Sequence, residues 1–241
     1  MAQATKEDSK YVVEQLDRSP GADPVSCINQ LLSEQSRKGY RLVAAGGSAL
    51  VDGGPYFIFK KTANADQDNY LIEELQIHDL IAATDSVEEI LEERLSGSWL
   101  PVLVMDVATA NPIVVYRQAP RICSDARLNF IDVPDSPFQS TDEAVNQELM
   151  IQQIQNNLML ACAMEGRSHL ILVMVSNQIE YPFEYAVEST SGGVFSIQPH
   201  PVIDLIDKRS AGGWEVCGLF EDASMTPTIV FRRSSVMSRA A

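Results

Sequence analysis

The chain spells one motif three times, and a long internal repeat constrains a fold more than any local propensity does. Tyr40, Trp99 and Trp214 each follow a glycine-containing break (Gly39; Gly97 and Ser98; Gly212 and Gly213) and each leads into an apolar run. Twelve, nine and eight residues upstream the positions are always aliphatic: Ile28, Leu31, Leu32; Val87, Ile90, Leu91; Val202, Leu205, Ile206. A tyrosine stands 29 residues upstream of each anchor (40 − 11 = 29), at Tyr11, Tyr70 and Tyr185. Downstream, each copy closes on proline, two variable residues, Ile or Val, an aromatic and a base. These segments are Pro55–Lys60, Pro112–Arg117 and Pro227–Arg232.

Within one copy the pattern predicts strand, helix, strand, strand. Tyr11–Leu16, Tyr70–Leu75 and Phe183–Val187 are short and alternating or β-rich. A helix start follows: Asp23 before Pro24, Ser86 with Glu89 as a capping box, and His200–Pro201. The aliphatic columns fall on one helical face, and the glycine break ends the helix. Strands then follow at Arg41–Ala44, Leu100–Met105 and Glu215–Leu219. A turn-rich stretch (Gly46, Gly47, Asp52, Gly53 and Gly54 in the first copy) leads to the closing strand.

The spacing is uneven: 70 − 11 = 59 residues separate the first two tyrosines and 185 − 70 = 115 the next two. A degenerate fourth copy fills the gap. Its expected parts are a strand at Leu128–Val133, a helix over Asp142–Met164 and a second strand at His169–Ser176, with the closing strand missing. The expected organisation is a disordered N-terminus (1–10), unit 1 (11–61), unit 2 (69–118), a degenerate unit 3 (127–176), unit 4 (183–233) and a disordered tail (234–241). The fold class is α+β: tandem β-α-β-β repeats forming antiparallel or mixed sheets with helices on one face. One unit is too small to stand alone, so two pairs are expected, divided near 119–127.

Strand, amphipathic helix, Gly-Trp or Gly-Tyr, strand, turn and a strand ending in aromatic-basic resembles a family of small bacterial domains of unknown function. The nearest match is Gly213–Val216 with Ile229–Arg233, then Gly39–Val43 with Ile58–Lys61; the match around Trp99 is weaker. The resemblance implies a structural motif, and carries over no catalytic residue.

Net charge is −15, from 33 acidic against 18 basic residues. Such a surface repels nucleic-acid backbones and anionic lipid; Arg232, Arg233 and Arg239 are the one modest basic cluster. Cys27, Cys123, Cys162 and Cys217 lack metal or redox spacing and are expected as reduced thiols, Cys217 on a buried strand. No apolar stretch approaches the roughly 20 residues of a membrane helix, and the N-terminal residues lack a signal-peptide pattern. A cytoplasmic protein is expected. His78, His169 and His200 lie at non-equivalent positions, so no metal ligand is assigned. Nor is any cofactor or catalytic residue, and an enzyme is the lesser expectation. Glu88, Glu89, Glu92 and Glu93 form an acidic helix flank, favourable near a helix N-terminus, or else a docking face for a basic partner.

Two functions are weighed. The first is a non-catalytic interaction or assembly component, a scaffold or adaptor that recruits a protein partner or a second copy through an unpaired sheet edge in unit 3. The alternative is a binder of an anionic or nucleotide-like small molecule. There the aromatic anchors Tyr40, Trp99 and Trp214 would line pockets, and the strand ends Lys60, Arg117 and Arg232 would meet the charge. The plainer role of those aromatics is to plug the core at a helix–strand junction.

Overall fold

Four units, not three and a remnant, are complete in the computed structural model. It describes residues 10–16, 22–47, 55–63, 65, 68–79, 82–107, 109–123, 125–133, 139–165, 169–176, 183–190, 199–221 and 226–235. The first unit comprises β1 (Tyr11–Gln15), α1 (Pro24–Arg37), β2 (Tyr40–Gly46) and β3 (Tyr56–Lys61). The second comprises β4 (Tyr70–Glu74), α2 (Ala83–Ser96), β5 (Trp99–Met105) and β6 (Ile113–Gln118). After a short α3 (Pro120–Cys123) comes the third: β7 (Leu128–Val133), α4 (Thr141–Asn156), β8 (Leu158–Glu165) and β9 (Leu170–Ser176). The fourth comprises β10 (Phe183–Ser189), α5 (Pro199–Ala211), β11 (Glu215–Glu221) and β12 (Pro227–Ser234). Gly53, Gly54, Asp52 and Arg239 lie outside the described residues, as do the expected N-terminal segment except Lys10 and most of the expected tail.

The third unit corrects the sequence expectation. Its helix stops at Asn156, and Leu158–Met164, expected as helix, belongs to the second strand, Leu158–Glu165. Leu170–Ser176 is then the closing strand, paired with β7 on one side and β8 on the other. The closing strand expected to be missing is therefore present, with β7 and β8 as the edges of its sheet. The helix ends where Asn157 takes the left-handed conformation (φ 51°), as Gly39, Ser98 and Gly213 do before the other second strands (φ 84°, 69° and 78°). Asparagine is the usual substitute for glycine there. The capping box at Ser86 is also displaced. Helix α2 begins four residues earlier (86 − 82 = 4), after Ala82 with no side-chain cap, whereas Asp23 does cap α1 by accepting from the Ser26 amide at 2.9 Å.

Every unit forms a three-stranded antiparallel sheet with its closing strand in the middle: β1-β3-β2, β4-β6-β5, β7-β9-β8 and β10-β12-β11. A central strand has two faces to bury, and these closing strands are apolar on both. In β3, Phe57 and Phe59 enter one core and Tyr56 and Ile58 another; in β9, Ile171 and Val173 are divided from Leu172 and Met174 in the same way. A near-continuous apolar run is the signature of a strand covered on both sides. The unit's own helix covers one face; the other requires a neighbour.

That requirement closes the molecule into a ring. Helix α1 packs on β4, α2 on β7, α4 on β10 and α5 on β1. Each of the four cores accordingly joins one unit's helix and sheet to the next unit's sheet, and the fourth joins Val202, Ile206 and Phe231 of unit 4 to Tyr11, Tyr56 and Ile58 of unit 1. A linear array would leave a face of unit 1 and a face of unit 4 in water; ring closure buries both. Instead of two pairs divided near 119–127, a continuous core holding Cys123 spans that segment.

The second strands form the inner wall. They are edge strands of their sheets and pack on one another in the cycle β2, β5, β8, β11 and back to β2. At the β2–β11 crossing a Cβ on Gly46 would stand 2.6 Å from the Leu219 carbonyl oxygen, so only glycine permits that approach.

Candidate functional site

Each inner strand carries a β-bulge at the same place: at Val43 in β2, Val102 in β5, Ala161 in β8 and Cys217 in β11. A bulge bends its strand and re-aims side chains. All four bulge residues line one cavity of about 250 Å³ at the ring centre. Arg41, Lys60, Thr62, Arg117, Glu215 and Arg232 supply its polar lining.

The ladders explain which residues arrive there. Lys60, Arg117 and Arg232 occupy one closing-strand position, opposite Tyr11, Tyr70 and Tyr185 on the outer side. On the inner side they face Arg41, Leu100 and Glu215. Arg41 and Lys60 are therefore cross-strand neighbours of like charge, an arrangement that costs stability unless something offsets it. Two carboxylates do so in part: Asp68 accepts from Arg41 Nε at 2.5 Å, and Glu215 accepts from Lys60 Nζ at 2.5 Å. Burial alone would raise the Glu215 carboxyl, but the Lys60 hydrogen bond and charge, with Arg232, bring it below the usual carboxylate range.

Arg117 and Arg232 have no ion pair among the described residues. Arg117 donates weakly to the Leu42 carbonyl oxygen at 3.5 Å. Its pKa is depressed, first by burial and also by Arg41 and Arg232 nearby, opposed by Tyr70 and Asp68; it stays charged regardless. Arg232 lies over the Phe183 ring at 5.1 Å. A chain of net charge −15 thus gathers four cations around one small cavity.

The three basic residues singled out by the repeat are brought together; the three aromatics are not. Tyr40 is core, with Lys61 over its ring at 5.7 Å. Trp99 packs against the core between units 2 and 3, and Trp214 against the core between units 4 and 1, beneath Arg209 and Arg233 at 5.5 and 4.6 Å. They close the helix–strand junctions and lie apart from the cavity.

The tyrosine column has a role that sequence did not disclose. Tyr70 accepts from the Leu42 amide of unit 1 at 3.0 Å, and Tyr185 from the Leu160 amide of unit 3 at 3.4 Å. Tyr11 meets the Val216 backbone of unit 4 less squarely, and burial pushes its phenol up to about 12. Tyr70 and Tyr185 thus latch the amide just before the bulge of the preceding unit, and Tyr11 stands at the equivalent place beside Val216. The ladder places Leu128 at this position in unit 3, and the amide it would meet belongs to Pro101, which has no N–H.

Arg41, Glu215 and the bulge residues were missed by sequence, although Arg41 and Glu215 each directly follow an aromatic anchor. Cys217 is buried with its thiol pushed up to about 12 by burial, which keeps it protonated and inert. On α2, Arg94 holds Glu73 through two hydrogen bonds at 2.8 and 2.7 Å, beside the exposed Glu89, Glu92 and Glu93. Among the described residues no group of three or more His, Cys, Asp or Glu side chains is placed to hold a metal ion, and no helix is long and apolar enough to cross a membrane. Compared with family models, with curated proteins and with solved structures, the chain matches none.

Proposed function

We propose that this protein binds a small anion in the cavity at the ring centre. The observation that carries the proposal is the convergence of Arg41, Lys60, Arg117 and Arg232, from three different units, on one cavity of an otherwise acidic chain. Cations held together against their repulsion in a half-buried setting favour an anionic guest, because the guest removes the repulsion and its own charge is met by preformed donors. Thermal unfolding in the presence of inorganic phosphate and simple phosphate esters tests it. Binding to the folded state raises Tm with ligand concentration, and Arg117→Gln, folded by circular dichroism, loses the increase. A wild-type Tm indifferent to every such anion sinks the proposal.

The closing strand whose expected absence motivated the assembly reading is present as β9. One observation still favours self-association: Met150 and Ile154 on α4 are 47% and 77% exposed, beside Ile151 in a shallow surface groove. Light scattering of the wild-type chain and Ile154→Lys decides it. A dimer reduced to monomer by the substitution supports self-association; a monomer in both removes it.

A further inference from the structure

The cavity is built on a fourfold plan but is not fourfold in chemistry. Where unit 1 places Arg41 and unit 4 places Glu215, unit 3 places Met159; where the other units place Lys60, Arg117 and Arg232, unit 3 places Val175. With Leu160 and Ala161, Met159 makes the unit 3 wall apolar, and Leu100, Val102 and Ile122 of unit 2 and α3 extend it. Unit 3 thus contributes only apolar side chains to the cavity, whereas units 1, 2 and 4 each contribute at least one cation.

We infer that the ligand is an amphipathic anion: one compact charged head, such as a phosphate monoester or a carboxylate, joined to an apolar body that rests on the unit 3 wall. The inference rests on the anion-binding reading above and narrows it. A bare inorganic ion would leave the apolar wall in contact with water and gain nothing from it. A long polyphosphate finds too little charge, since Asp68 and Glu215, paired with Arg41 and Lys60, already offset part of the charge of the four cations. The 250 Å³ volume holds roughly eight waters at about 30 Å³ each, which suits a head group with a ring or short chain.

Isothermal titration of the full chain with methyl phosphate and with phenyl phosphate tests this. At about pH 8, above a second phosphate pKa of about 6, both carry the same charge. Phenyl phosphate is expected to bind about tenfold tighter or more, from burial of its ring. Met159→Gln should weaken phenyl phosphate binding more than methyl phosphate binding and so shrink that advantage. Equal wild-type affinities for the two esters overturn the inference while the anion-binding proposal stands. Binding of neither overturns both. The wild-type comparison decides the matter even if the variant fails to fold.

Discussion

Units 2 and 3 sit side by side in the ring and share a core, yet one displays the repeat motif and the other nearly hides it. Unit 2 has Tyr70, Val87, Leu91, Ser98, Trp99 and Arg117; the corresponding residues of unit 3 are Leu128, Val145, Leu149, Asn157, Leu158 and Val175. What survives in unit 3 is what the backbone demands: a buried helix stripe, a left-handed residue before the inner strand, a bulge in that strand and a closing strand buried on both faces. What is lost are side chains whose partners are lost with them. The tyrosine is absent where the neighbouring position is Pro101, and the base is absent where the cavity wall turns apolar. Fold and motif are therefore separable in this chain, because shape depends on apolar volume and backbone conformation, while the motif residues serve particular contacts.

The strongest challenge to that comparison is to weaken the two closing strands equally. Leu172 in β9 and Ile229 in β12 are both fully buried. Leu172→Ala and Ile229→Ala should each cost about 2–5 kcal/mol by chemical denaturation. A Leu172 variant that costs under 1 kcal/mol would mean that unit 3 is not an equal member of the ring.

A finer test addresses the latch. Tyr70→Phe leaves the Leu42 amide without its acceptor and should cost about 1–3 kcal/mol. In unit 3, Leu128→Tyr should be unfavourable alone, and Pro101→Ala should relieve part of that cost by supplying the amide. A double-mutant cycle is expected to show coupling of about 1 kcal/mol. Additive effects would separate the missing tyrosine from Pro101.

The smallest effect is on the charged side of the cavity. Glu215 is depressed in the fold relative to its ordinary value of 4.5, so it stabilises the protein above that pH, and the contribution is lost as pH falls below 4.5 through the folded value. Glu215→Gln should lower stability at neutral pH by under about 1 kcal/mol, the group being only partly buried. The gap from wild type should close on acidification; a gap that widens there gives Glu215 a different role.

Much of unit 3 was legible. Asn157 lies 157 − 98 = 59 residues after Ser98, the interval that separates Ser98 from Gly39 (98 − 39 = 59). What obscured it was an extra residue: the buried stripe Val145 and Leu149 lies 13 and 9 residues before Leu158, against 12 and 8 before Trp99 (158 − 145 = 13; 99 − 87 = 12). Columns counted from the anchor then miss the helix, and the apolar Leu158–Met164 reads as its continuation. The basic strand ends could be named from sequence, but not the bulges that share their cavity, since a bulge arises from how two strands pair.

Sequence by itself determined the units. Helical and strand periodicity, capping and left-handed residues act over a few positions, and the apolar runs of the closing strands already required cover on both faces. Only the tertiary structure decided what supplies that cover. Burial pattern states that a face must leave water without naming its neighbour, so the closing of unit 4 onto unit 1, the meeting of four bulges and the gathering of distant cations at one cavity all followed from packing.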